Sequence, residues 1–139
     1  MKDKFINYYM DVAKRTALLS YAEKLKVGSI IVKEDRIISI GYNGTPSGFD
    51  NVAEYVLEDG SLKTKDETIH AEMNAISKLA KSSESGFGAV MFITHSPCIQ
   101  CSKGIYSSGI KEVYYSQEYR DPSGLKFLEK CGIKVKRVL

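Results

Sequence analysis

The stretch Val27-Gly28-Ser29-Ile30-Ile31-Val32-Lys33-Glu34-Asp35-Arg36-Ile37-Ile38-Ser39-Ile40-Gly41-Tyr42 decides the fold. Two β-branched runs flank a single pair of residues, Glu34 and Asp35. A gap that short leaves only an antiparallel hairpin. The apolar runs predict strands buried on both faces, as in a sheet covered by helices. Upstream, Phe5, Tyr9, Val12, Thr16 and Leu19 recur at three- and four-residue intervals, which predicts a helix over residues 4–20 with that stripe inward. Downstream, helical patterns alternate with short apolar runs. Helices are expected at 71–81, 98–108 and 122–130, and strands at 89–94, 111–115 and 134–138. The expected architecture is an α/β fold: a three-layer α/β/α sandwich around a mixed five-stranded sheet. Residues 43–68 are the least regular stretch, with a short helical turn expected near 52–58. A connection that long in a small fold commonly carries function.

Composition narrows the function. The 139 residues suit one domain spanning 1–139, and 43% hydrophobic residues exclude a disordered or low-complexity chain. No apolar run approaches the ~18 residues that a membrane span needs. The start, Met1-Lys2-Asp3-Lys4-Phe5, lacks the apolar core of a signal peptide, so the expected location is cytoplasmic. The net charge of +3 comes from 20 basic and 17 acidic residues that are interspersed, not gathered into a basic stripe, which argues against a nucleic-acid partner. A small anionic substrate needs only one or two placed cations and remains open. An odd count of three cysteines, Cys98, Cys101 and Cys131, argues against a disulfide framework.

The chemistry is concentrated in two short segments: His70-Ala71-Glu72 and Pro97-Cys98-Ile99-Gln100-Cys101, each opening a helix. Cysteines three apart in a first turn put both sulfurs on one face. The unpaired N–H groups and positive dipole end there favour their thiolates. Two thiolates and one imidazole supply three ligands for Zn²⁺ and leave a fourth tetrahedral position open, as a catalytic zinc requires. Glu72, two residues from His70, lies about 200° around the helix and makes a poor fourth ligand. It is placed instead to carry the proton of an activated water. A C-x-x-C pair alone also suits redox sites and zinc ribbons; the H-x-E on the preceding helix sets this chain apart from those. Cys131 reads as a small apolar residue near a helix end, and His95 as a loop residue at the mouth of the site.

The segments His70-Ala71-Glu72-Met73-Asn74-Ala75-Ile76, Thr94-His95-Ser96-Pro97-Cys98-Ile99-Gln100-Cys101 and Gly41-Tyr42-Asn43-Gly44-Thr45-Pro46-Ser47-Gly48 together resemble the deoxycytidylate deaminases. H-x-E with P-C-x-x-C marks the zinc nucleobase deaminases in general; the Gly-Tyr-Asn-Gly segment is the specific part. The resemblance covers residues 26–132 and implies the reaction dCMP + H₂O → dUMP + NH₃, which supplies precursor for thymidylate. It implies His70, Cys98 and Cys101 as ligands of one zinc ion, with Glu72 moving a proton to N3 of the pyrimidine and then to the departing amine. The Ala71 N–H would bond the pyrimidine carbonyl, and Asn43 would contact the sugar and phosphate side. Lys24 or Lys26, with Tyr119 and Arg120, would hold the phosphate, and Tyr119 could close over the base. The resemblance further implies a hexamer activated by dCTP with Mg²⁺ and inhibited by dTTP, the effector lying near the loop from Gly44 to Asn51. The rival readings are a tRNA adenosine or other nucleobase deaminase and a zinc-stabilised nucleotide-binding module without turnover. The lack of a basic run speaks against the first, and Glu72 against the second.

Overall fold

The structure is a computed structural model that describes residues 1–139. Helix α1 (Asp3–Ala17) leads into the hairpin β1 (Gly28–Lys33) and β2 (Arg36–Tyr42). A small hairpin follows, β3 (Glu54–Val56) and β4 (Leu62–Thr64), then α2 (Ala71–Ala80) and β5 (Val90–His95). The chain ends with α3 (Ile99–Ser107), β6 (Glu112–Gln117), α4 (Ser123–Lys130) and β7 (Lys134–Arg137). The main sheet has the order β2-β1-β5-β6-β7, while β3 and β4 form a separate two-stranded sheet. β1 is antiparallel to β2 and β5, and β5, β6 and β7 run parallel. The sheet is therefore mixed, as the order of elements predicts.

Alternation along the strands builds a core on each face of this sheet. Ile30, Val32, Val90, Phe92 and Tyr114 face α1, where they meet Ile6, Tyr9, Met10 and Ala13. The Phe92 and Tyr114 rings stack at 4.9 Å. Ile31, Met91, Ile93 and Val113 point the other way, against Ala71, Ala75 and Leu79 of α2, Ile105 of α3 and Leu128 of α4. Three layers result: one helix, the sheet, and three helices.

Three local expectations need correction. The buried stripe of α1 is Ile6, Tyr9, Met10, Ala13, Thr16 and Ala17; Phe5 is exposed and Leu19 lies beyond the helix end. The two candidate stripes differ by about one residue of rotation, and the small side chains decide between them. At Gly28 a Cβ would lie 2.2 Å from the Ala13 carbonyl oxygen, so α1 rests backbone to backbone on β1 through alanines. Second, of the two hairpin strands β1 alone is buried on both faces; β2 is an edge strand whose first residues are exposed. Third, residues 52–58 contain a strand and not a helical turn. Tyr55 and Val56 pair with Lys63 and Leu62 across a turn at Asp59-Gly60, where Gly60 has φ +85°.

The β1–β2 turn uses Glu34 and Asp35, both at positive φ (53° and 58°), the geometry of a two-residue turn that matches strand twist. An isolated bridge, Gly44 to Ile69, closes the 43–69 excursion and returns the chain beside Asn43 just before His70. The close approach at Gly28 sets a stability expectation. Gly28→Ala should lose about 3 kcal/mol, because backbone, not a flexible side chain, stands in the way. Urea denaturation checks this; a loss below ~0.5 kcal/mol would mean that α1 does not bear on β1 as described.

Candidate metal and substrate site

His70 and Cys98 are the N-cap residues of α2 and α3, both in extended backbone conformation, and Cys101 lies in the first turn of α3. The two helix starts meet beyond the C-terminal end of β5, where the strand delivers the Ser96-Pro97 corner. His70 Nδ1 stands 3.3 Å from Cys101 Sγ and 3.7 Å from Cys98 Sγ, and the three ligand atoms lie within 4.8 Å of one another. Tetrahedral zinc with ordinary Zn–S and Zn–N bonds places such donors about 3.6–3.8 Å apart. The spacing and the soft donor set fit zinc. The Cys101 N–H also points at Cys98 Sγ, at 3.5 Å.

Charge in the cluster follows from crowding. Hydrogen bonds from Cys101 and His70 pull the Cys98 thiol down to about 3, so Cys98 is a thiolate before any metal arrives. Cys101, beside that thiolate and buried, is pushed up. His70 is raised by its hydrogen bond to Cys98.

Close backbone packing holds both helix starts. A Cβ at Gly41 would lie 2.3 Å from the Ala71 carbonyl oxygen, so β2 abuts the first turn of α2 directly. Ser29 and Ser39 donate to the carbonyls of Ala71 and Ala75 at 2.8 and 2.7 Å, fixing α2 to the two strands. At Gly124 a Cβ would lie 2.0 Å from the Pro97 carbonyl oxygen, so α4 leans on the corner that carries Cys98.

A cleft of about 200 Å³ opens at the cluster, its wall formed by residues that include His70, Ala71, Glu72, Asn43, Lys24 and Tyr119. Glu72 is 4% exposed, and burial pushes its carboxyl up to about 7, partly offset by its own N–H and by His70. Ala71 is fully buried, and its N–H, at the first position of α2, has no partner within the protein. Asn43 lines the cleft with its amide already engaged: Oδ1 accepts from the Val27 N–H and Nδ2 donates to the Leu25 carbonyl, both at 2.8 Å. Tyr119 is held by its N–H on Ser96 Oγ at 2.8 Å. Its phenol is pushed up to about 12 by burial and the nearby Glu72. His95 ends β5 with its ring 5.9 Å from that of Tyr119, outside the ligand trio.

Two expected phosphate contacts are not brought to the cleft. The Lys26 ammonium is bonded to the Ser20 carbonyl, and Arg120 is exposed outside the wall without an ion pair. The acids flanking Arg120 are otherwise engaged, Glu118 by the Tyr115 hydroxyl and Asp121 by the Ser123 N–H. Lys24 is the one lysine or arginine of the cleft wall. Gly44 and Asn51 line a second cavity of about 540 Å³, whose wall also carries Lys78 and Lys81. Asn43, Ala22 and Ala53 border both cavities. Sequence reasoning missed Glu54, Thr64 and Thr68 in the cleft wall. The Asp59-Gly60 turn signal between two short β-prone runs could have exposed the hairpin that brings in Glu54 and Thr64.

A mixed α/β sheet with His, Cys and Cys at two helix starts beside a buried carboxylate is the arrangement of the zinc-dependent deaminases. The chain belongs to the cytidine and deoxycytidylate deaminase zinc-binding family, whose model matches residues 3–117. It is similar to the dCMP deaminase of cyanophage S-TIM5, solved in complex with dCMP and dUMP: 46% identity, TM-score 0.92, and 99% of each chain covered. ComE operon protein 2 of Bacillus subtilis is 40% identical over 94% of this chain and 69% of its own length. Deoxycytidylate deaminase of Saccharomyces cerevisiae is 35% identical over 99% of this chain, which spans 46% of that protein.

Two measurements probe the site. Metal analysis should find one zinc per chain, and Cys98→Ala or Cys101→Ala should weaken zinc binding more than ~100-fold in a chelator competition. The second concerns Glu72, whose carboxyl is raised in the fold. Its protonated form stabilises the fold below the ordinary carboxylate range, and that contribution is lost as pH rises through about 7. Metal-free protein should therefore lose about 3 kcal/mol relative to metal-free Glu72→Gln between pH 4.5 and pH 8. A difference in urea stability that does not vary with pH would contradict the burial argument.

Proposed function

We propose that the chain catalyses the hydrolytic deamination of dCMP to dUMP and ammonia, and so supplies precursor for thymidylate. One observation carries the reading: the buried Glu72 lies in the same cleft wall as His70, which belongs to the His70–Cys98–Cys101 group, in a fold matched along its length by the cyanophage dCMP deaminase. Zinc held by that trio would supply Lewis-acid activation of the attacking water. The protein's own groups do the rest. Glu72 takes the water's proton and delivers it to N3 of the ring, then protonates the departing amine. The free Ala71 N–H, at the positive end of α2, donates a hydrogen bond to the pyrimidine carbonyl oxygen. Asn43, locked by two backbone bonds, acts first by fixing the floor of the cleft at the sugar, with one amide hydrogen left for substrate. Tyr119 covers the base and Lys24 neutralises the phosphate.

Regulation by dCTP with Mg²⁺ and by dTTP belongs to the same proposal. It rests on the second cavity, with Gly44 and Asn51 in its wall, with Lys78 and Lys81 as phosphate partners, and with Asn43 as a wall common to both cavities. The proposal extends to a hexamer and a cytoplasmic location, in line with the family resemblance. No helix is long and apolar enough to cross a membrane.

Glu72→Gln tests the mechanism. It should retain zinc yet lose about 10³-fold in kcat on dCMP, the scale of a lost proton shuttle. Equal turnover by the variant and the unaltered protein would overturn the assignment. For regulation, dCTP with Mg²⁺ should raise dCMP turnover and dTTP should suppress it. Rates indifferent to both would remove the effector reading and leave the enzyme.

A further inference from the structure

Glu54 is the only carboxylate besides Glu72 in the cleft wall, and it is 7% exposed. Its Oε2 accepts two backbone N–H groups, from Glu23 and Lys24, each at 3.1 Å. Its Oε1 has no hydrogen-bond partner in the protein, and Glu54 forms no ion pair. Glu54 is a wall residue of the cleft, and Oε1 is the half of its carboxylate left without a partner. Burying a carboxylate with one oxygen idle is costly, and natural folds seldom leave it so without use.

We infer that Glu54 is a specificity-determining residue that accepts a hydrogen bond from the 3′-hydroxyl of the substrate's deoxyribose. The inference rests on the dCMP reading above. A carboxylate only accepts hydrogen bonds, so it must meet a donor on the ligand. Deoxycytidine monophosphate has two: the exocyclic amine and the 3′-hydroxyl. The amine is the leaving group and belongs at Glu72 and the ligand trio, on the starts of α2 and α3. Glu54 comes from β3 and is tied to the Glu23–Lys24 backbone, a separate part of the wall, which leaves it the sugar. The negative charge also repels the phosphate and directs it to the Lys24 ammonium. A single carboxylate thus sets which end of the sugar lies where.

The test pairs a protein change with a substrate change. The unaltered protein and Glu54→Gln, with zinc content and melting midpoint checked, are assayed on dCMP and on 2′,3′-dideoxycytidine 5′-monophosphate. A charge-assisted hydrogen bond predicts that the unaltered protein prefers dCMP by about 10- to 100-fold in kcat/KM. Glu54→Gln should lose about 10-fold on dCMP and stay within about 2-fold of the unaltered protein on the dideoxy substrate. Parallel losses on both substrates would overturn the inference, since a purely structural role acts on both alike. An unaltered protein indifferent to the 3′-hydroxyl would overturn it whether or not the variant folds. No dCMP turnover by the unaltered protein would overturn the dCMP reading itself, and this assignment with it.

Discussion

Everything in the site depends on bringing two helix N-termini face to face. Each carries unpaired N–H groups and partial positive charge, so α2 and α3 repel where they meet. The residues at that junction answer the charge: a Cys98 thiolate at the start of α3 and the Glu72 carboxyl in the first turn of α2. Packing supplies what electrostatics does not. Gly41 lets β2 touch the Ala71 carbonyl, and Gly124 lets α4 touch the Pro97 carbonyl, so neither helix start can retreat without opening a void. The ligand trio is the product of those two backbone contacts.

The same constraint makes the cleft a place for proton chemistry. Fixing the start of α2 buries the side chain of Glu72 in the cleft wall and leaves the Ala71 N–H there without a partner in the protein. Burial raises the carboxyl, and the free N–H offers a donor for an oxygen. The opposite wall is built differently, from the 22–25 segment and the small β3–β4 hairpin stitched together through Glu54. On the proposed function, the first wall would meet the reacting ring and the second the sugar and phosphate. Asn43 borders both this cleft and the neighbouring cavity, so a ligand in one bears on a wall of the other.

Much of this was legible in the sequence because it rests on local signals. The β-branched runs on either side of Glu34-Asp35 announce the hairpin, and alternating apolar patterns announce the remaining strands of the sheet. The H-x-E and P-C-x-x-C spacings bring His70, Cys98 and Cys101 to helix starts, where one strand suffices to join them. What escaped depends on neighbours distant in sequence. The inward stripe of α1 was misread because Ala13 and Ala17 carry little hydrophobic weight, and only their meeting with Gly28 selects that face. The β3 strand is three residues long and gains its order from β4, so its composition alone read as a turn of helix. Glu54 was hidden within it. Lys26 looked like a free cation; its partner, the Ser20 carbonyl, lies on the preceding connection and is met only after the chain has folded back.

On the proposed function, this junction serves a cytosine carrying a 5′-phosphate. Ammonia release by the zinc-loaded protein, compared across dCMP, CMP, deoxycytidine and dCTP, tests it most directly. Turnover of dCMP should stand well above the other three, because the proposed function gives the base, the sugar hydroxyl and a single phosphate each a place in the cleft. Deoxycytidine turned over as well as dCMP, or no release from any of the four, would contradict it.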